Sequence, residues 1–299
     1  MSKHFFIGVD GGATSCRARI RDMDGNVLGE GASGPANIHS NLPLAAESIR
    51  EATAAALRSA GLAERNLRGA HAGLGLAGAG LKSACDRLLS EPIPFRSIVL
   101  ETDAYVAWLG AHQGGDGGIA ILGTGSCGLA VVDGRRTAVA GWGPDVSDEA
   151  GGQRMGREAL RRTLWAYDGR AEETELTAAV LGRFDWDPAK VVSFASRASA
   201  ADYATLAPLI LHYASADDPL AVTLVKEAAA AAAVIIERLL AVGAPAVSLI
   251  GGLAEPLMSW LPPSLSGFIT VPKSDPVDGA ILMARRAFFK LDAVTLRAG

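Results

Sequence analysis

The chain has 299 residues, 49% of them hydrophobic and 20% charged, and a formal net charge of -4. That is length enough for two domains with large cores, and the charge offers no basic face for nucleic acid or for an anionic membrane. Three well-separated cysteines, Cys16, Cys85 and Cys127, make neither a disulfide framework nor a C-x-x-C metal pair, and the opening apolar run is too short for a secretion signal, so a cytoplasmic protein is expected.

An apolar run over residues 5–9 ends in Asp10-Gly11-Gly12-Ala13-Thr14-Ser15, and alternation resumes through residues 16–20. The pattern predicts a strand, a tight glycine turn and a returning strand. Asp10 would stand at the mouth of a turn whose bare glycines and hydroxyls admit a polyanion, so that a metal ion could bridge carboxylate and phosphate. An ordinary hairpin turn reads the same way. Residues 43–60 predict an amphipathic helix, 67–76 a strand, 80–90 a helix and 97–101 a strand that ends in Thr102-Asp103. Asp103 would project from that strand's C-terminal end, where open α/β sheets bind ligands, although an Asp there also suits a helix cap. Gly114-Gly115-Asp116-Gly117-Gly118 is the clearest hinge, and the domain boundary is placed there.

Residues 119–134 repeat the opening pattern of strand, glycine-and-hydroxyl turn, strand and Asp-Gly turn. Cys16 aligns with Cys127 and Asp24-Gly25 with Asp133-Gly134, and in each copy a third short strand runs to a glycine end, near Gly31 and near Gly141. Two related halves, each offering a phosphate loop, are implied. Familiar alternatives fail on spacing: the first loop lacks G-x-G-x-x-G, the second lacks Gly-Lys-Ser/Thr, and Thr124 stands where a nucleophile elbow around Ser126 needs glycine. Cys16 and Cys127 read as small strand residues rather than nucleophiles.

Asp148-Glu149 precede a helical pattern through Met155 to Leu164, which Asp148 could cap. The apolar stretch over residues 220–242 contains six consecutive alanines, but Lys226, Glu227, Glu237 and Arg238 leave nine uncharged residues between them. A membrane span needs about twenty, so a buried helix is expected. It breaks at Gly243-Ala244-Pro245, and a strand over 246–250 leads into Gly251-Gly252, which is either a plain turn or backbone set close to a flat ligand.

Together these residues resemble the actin, hexokinase and heat-shock-chaperone ATPase superfamily and, within it, the N-acetylglucosamine kinase and BadF/BcrA group, over nearly the whole chain. The likeness lies in a first phosphate motif (residues 8–14), a second (122–128) and an adenosine motif (247–253). It is strongest toward bacterial glucosamine kinases, through TSCRARIRD (14–22), SGPANI (33–38), GLGLAGA (73–79), TDAY (102–105), LGAH (109–112) and GTGSCG (123–128).

The resemblance implies an α/β, two-domain actin-like (ribonuclease H-like) ATPase fold with its active site in the interdomain cleft. Residues 1–115, joined by a C-terminal helix over about 283–299, would form one domain and 116–282 the other. ATP and Mg²⁺ are the implied cofactors. Asp10 would hold the metal, Gly11, Gly12, Thr14, Gly123, Thr124 and Gly125 would surround the phosphates, and Gly251 and Gly252 would meet the adenosine. Asp103 would be the general base, and Asn37, Gly78, Trp142, Asp148 and Glu149 would line the sugar side with it. The implied acceptor is the 6-hydroxyl of an amino sugar, glucosamine first and N-acetylglucosamine as the alternative. Gly141-Trp142-Gly143 and Asp148-Glu149 look more like N-acetylglucosamine kinases, yet Ser147 and Ala150 depart from their Gly-Asp-Glu-Gly pattern. A homodimer stays open. Two rivals remain: a BadF-type activator ATPase, which needs interface cysteines for an iron-sulfur cluster, and a non-catalytic sugar sensor.

Overall fold

The computed structural model describes residues 4–91 and 94–297, with side chains as far as residue 290. The last two residues of the expected C-terminal helix lie outside the described residues. The chain divides into two compact units, one of Met1–Asp116 with Val271–Gly299 and one of Gly117–Thr270.

In the first unit, β1 (Phe5–Gly11), β2 (Cys16–Arg21), β3 (Val27–Ser33), β4 (Ala70–Leu76) and β5 (Ser97–Thr102) form one sheet in the order β3-β2-β1-β4-β5. The first three strands run antiparallel, whereas β4 and β5 are parallel to β1. Every residue of β4 is buried, as expected of a parallel strand covered on both faces. In β2 Cys16, Ala18 and Ile20 turn inward while the arginines between them turn out. Helix α1 (Leu42–Ser59) is capped by Asn41, whose side chain accepts from Leu44 N, and buries Ala45, Ile49, Ala52 and Ala56 at helical spacing. The expected strand over 67–76 is shortened by a 3₁₀ turn, Glu64–Gly69, so that β4 opens only at Ala70. Helices α2 (Lys82–Leu89) and α3 (Asp103–His112) follow β4 and β5.

The second unit repeats the plan with β6 (Gly117–Leu122), β7 (Ser126–Val132), β8 (Arg135–Ala140) and β9 (Val247–Ile250) in the order β8-β7-β6-β9. Where the first sheet carries β5, this one has a single parallel bridge between Val247 and Ile269. Between β8 and β9 run α4 (Gly152–Tyr167), α5 (Glu175–Gly182), α6 (Pro188–Ala195), α7 (Ala200–Ala204), α8 (Ala207–Ser215) and α9 (Pro219–Ala241), and α10 (Ala254–Met258) follows β9. Helix α9 is long and apolar enough by composition to cross a membrane. Its residues Leu224, Ala228, Ala232, Ile235 and Leu239 lie in the core of this unit.

The final helix, α11 (Pro276–Arg297), belongs to the first unit and lies directly on β1 and β4. Two glycines make that approach possible: a Cβ on Gly8 would stand 2.2 Å from Val277 O, and one on Gly73 2.0 Å from Ala280 O. Its N-terminal end is tied to β2 through Arg19 to Asp275, just before the helix, and Arg21 to Asp278 in its first turn.

Candidate functional site

The first unit collects its candidate residues along one row of the sheet. Gly11 pairs with Leu76 and Leu76 with Thr102, so β1, β4 and β5 end side by side, and the residues that follow share the C-terminal edge of three parallel strands. The backbone stitches these ends together: Ala77 N donates to Gly11 O, Ala36 N to Gly12 O and Ile38 N to Ala77 O. Asp10, Gly11, Gly12, Asn37, Gly78 and Asp103 therefore gather at that edge, with the exposed Thr14 on the turn beside them.

Asp103 is the first residue of α3 but does not cap it. The cap is Thr102, whose side chain accepts from Tyr105 N, so the capping role weighed for Asp103 passes to its neighbour. Asp103 Oδ1 accepts from Ala104 N at 2.9 Å. Loss of hydration pushes its carboxyl up to about 6, with a smaller upward push from the charge of Asp10. That is a proton acceptor tuned toward neutral pH.

Asn37 is tied into its own turn. Its Oδ1 accepts from His39 N at 3.0 Å and Ser40 N at 3.1 Å, as in an Asx turn, so its carbonyl is committed and the Nδ2 amide is the group with hydrogens to give. Gly78 stands against that turn at φ +85°, and a Cβ there would come within 2.7 Å of Asn37 Oδ1.

In the second unit the turn after β6 is clamped from behind by residues 148–153. Gly152 N donates to Gly123 O and Gln153 N to Thr124 O. Asp148, buried at φ +65°, accepts from Ser126 N at 3.2 Å, and Ser126 Oγ accepts from Ala150 N at 3.1 Å. Asp148 thus does not cap α4, whose cap position is Gly151. It props the phosphate-type turn instead. Burial raises its carboxyl above the usual range. Glu149 is exposed, 3.4 Å from the Ser147 hydroxyl that donates to it, and Trp142 stands 81% exposed beyond the end of β8.

The candidate glycines fall into two groups. A Cβ on Gly11 would strike Leu76 and Ala36, one on Gly125 would strike Asp148, and one on Gly251, at φ +105°, would sit 2.4 Å from Leu122 O. Those three serve the fold. A Cβ on Gly123 or Gly252 would meet nothing within 4 Å, and one on Gly12 only Ser15 O at 3.8 Å, so at these three the open side of the backbone faces away from the protein.

A family model of the BadF/BadG/BcrA/BcrD ATPases matches residues 7–284. The chain belongs to this ATPase family. It is 38% identical over 281 residues to the glucosamine kinase GspK of Vibrio cholerae, covering 94% of this chain and 96% of that one. It is 30% identical over 251 residues to the N-acetyl-D-glucosamine kinase of Dictyostelium discoideum, with 77% of each chain covered. A crystal structure of a Chromobacterium violaceum protein, provisionally assigned as an N-acetylglucosamine kinase, superposes with a TM-score of 0.89 at 35% identity, over 95% of this chain and all of the other. The two mixed sheets with their helices are the α/β, two-domain actin-like ATPase fold.

Within that family frame, the donor set of the first unit suits magnesium. Among the described residues no three His, Cys, Asp or Glu side chains form a metal cluster. An ion here would take Asp10 and draw its remaining ligands from phosphate and water, as Mg²⁺ does in phosphoryl-transfer sites. Three contributors escaped the sequence reading: Arg17, paired with Asp10; Ser126, which ties Asp148 to the second turn; and the buried Gln153, whose Oε1 has no hydrogen-bond partner among the described residues. Only Arg17 left a signal, since a hairpin with residues 12–15 in its turn sets residue 17 opposite residue 10.

Proposed function

We propose that the chain is an ATP-dependent amino-sugar kinase that phosphorylates the 6-hydroxyl of glucosamine. The observation that carries this reading is Asp103, a carboxylate raised to about 6 at the C-terminal edge of the parallel strands, in electrostatic reach of Asp10. Asp103 takes the hydroxyl proton as the sugar oxygen forms its bond to the γ-phosphorus; the bond from that phosphorus to the bridging oxygen breaks, and ADP leaves. Such a base contributes about 10² to 10⁴ in rate, and the rest comes from positioning and from charge placed around the transferred group. Bound to Asp10, Mg²⁺ would neutralise phosphate charge. Gly12, Thr14, Gly123 and Thr124 bring open backbone and hydroxyls to the phosphates, and Gly252 to the adenosine.

Asn37 donates from Nδ2 to a sugar hydroxyl. With Asp148 committed to the Ser126 amide, Glu149 is the freer carboxylate to meet the ammonium of glucosamine. The iron-sulfur activator reading is disfavoured by Cys16, which is buried in β2 with its thiol pushed up to about 12 by that burial. A specific observation speaks for the other amino sugar: the exposed indole of Trp142 could serve as a wall for an acetamido group.

The test is a panel of sugars incubated with ATP and read by coupled ADP release. Glucosamine is expected to exceed N-acetylglucosamine in kcat/KM by about tenfold or more, since a charge-assisted contact contributes about 1.5–3 kcal/mol. The opposite order would overturn the substrate and leave the kinase standing; no sugar-dependent ADP release would overturn both.

A further inference from the structure

Asp10 has a resident cation. Its Oδ2 lies 2.6 Å from Nη2 of Arg17, the residue directly opposite it across the β1–β2 hairpin. The other outward arginines of β2 are held elsewhere: Arg19 by Glu30, Asp275 and Asp278, and Arg21 by Asp278. Among the described residues Arg17 pairs with Asp10 alone, and its side chain is 47% exposed whereas that of Asp10 is 18% exposed. It is also the second residue of β2, two past the turn that carries Gly12 and Thr14.

A guanidinium on Oδ2 and a divalent ion on the same carboxylate are mutually repelling cations. The side chain able to move is the exposed, unbranched one. Its fork of N–H donors fits phosphate oxygens in pairs. We propose that Arg17 is an exchangeable counter-ion: it neutralises Asp10 until metal-bound nucleotide arrives, then yields Oδ2 and passes to the polyphosphate. Charge on Asp10 is thereby balanced in both arrangements, and the arginine strengthens nucleotide binding only when metal comes with it. This rests on ATP and Mg²⁺ as ligands of the proposed kinase and not on the identity of the sugar, so it is tested without sugar.

The experiment is calorimetric titration of ADP into wild type and Arg17→Met, each in excess Mg²⁺ and in excess EDTA. Arg17→Met is expected to weaken ADP about tenfold or more in Mg²⁺ and less than twofold in EDTA. Arg17→Lys, which keeps the charge without the fork, should fall between wild type and Arg17→Met in Mg²⁺. Equal weakening in both media would mean a fixed phosphate contact, and no weakening in either would mean a bystander; each overturns the exchange. Asp10→Asn provides an inverse check that does not depend on how Arg17→Met folds. With its guanidinium released, Asp10→Asn should bind ADP in EDTA at least about threefold more tightly than wild type, and the double variant with Arg17→Met should lose that gain. A gain that persists in the double variant, or no gain at all, overturns the proposal.

Discussion

The two glycine turns occupy equivalent places in sheets that share the order of their first four strands, yet they are stabilised in opposite ways. The first, between β1 and β2, contains its own charge: β1 ends in Asp10-Gly11, and the carboxylate is answered by an arginine of the same hairpin. The second, between β6 and β7, follows Ile121-Leu122, has no charged residue in the turn, and is braced by Asp148 from a segment 22 residues further on. A duplicated scaffold has thus divided its work. One copy pairs a carboxylate with an arginine inside its own hairpin; the other uses a remote carboxylate to hold a backbone amide of its turn in place.

The largest effect should fall on the first unit's edge. Asp103→Asn is expected to lower kcat about a hundredfold or more with ATP affinity nearly unchanged, measured by ADP release and by titration. Near-normal turnover in a folded variant would remove the base. Because burial raises this carboxyl to about 6 and the base must be ionised, kcat/KM should hold above that pH and fall toward tenfold per unit below it. A flat profile down to pH 5 would contradict the assignment. The linked stability has the opposite sense, since the protonated form favours the fold and that contribution fades as pH rises from 3.8 toward about 6.

Next come the paired glycines of the second unit. Gly251→Ala places a methyl against Leu122 O at a strained φ and should cost about 2 kcal/mol or more in denaturation. Gly252→Val should leave stability nearly intact and weaken ATP about tenfold, because its added side chain points where the nucleotide is proposed to lie. If both variants lose stability alike, the division into fold and ligand glycines fails. Asp148→Ala removes the brace and should cost about 1.5–3 kcal/mol, seen as loss of stability and of ATP affinity together. Asp148→Asn keeps an acceptor and tolerates the left-handed backbone, so it should be milder; equal damage from both would show that charge and not bracing matters. The smallest change in stability is expected from Glu149→Gln, an exposed position, but it should erase most of the roughly tenfold preference for glucosamine. An unchanged ratio of kcat/KM for the two amino sugars would clear Glu149 of that role.

The features readable in advance were those encoded locally. Period-two alternation on either side of Asp10-Gly11-Gly12 and of Gly123-Thr124-Gly125 gave both hairpins, and Asp103 sat visibly between a strand pattern and a helix pattern. The 3₁₀ turn over Glu64–Gly69 escaped because Leu67 reads as continuous with the small and apolar residues of the strand that follows it. Helices α5 to α8 are short and lie in a stretch with weak periodicity, the first three capped by Thr174, Asp187 and Ser199 and α8 without a side-chain cap. Asp148 looked like a helix cap because the residue it serves, Ser126, is remote in sequence, and a side chain's choice between nearby and distant amides is made by tertiary packing.

The placement of α11 has a consequence for synthesis on the ribosome. Its contacts with Gly8 and Gly73 complete the layer over β1 and β4, but its residues are translated only after the whole second unit. Everything from Gly117 to Thr270 is made first. The N-terminal sheet is therefore exposed along that face for the whole interval, at about 5–20 residues per second, and the later-made unit is complete before the earlier one can close. Nascent chains truncated before residue 276 should carry a folded second half and a protease-sensitive first half, so that birth order and folding order are reversed.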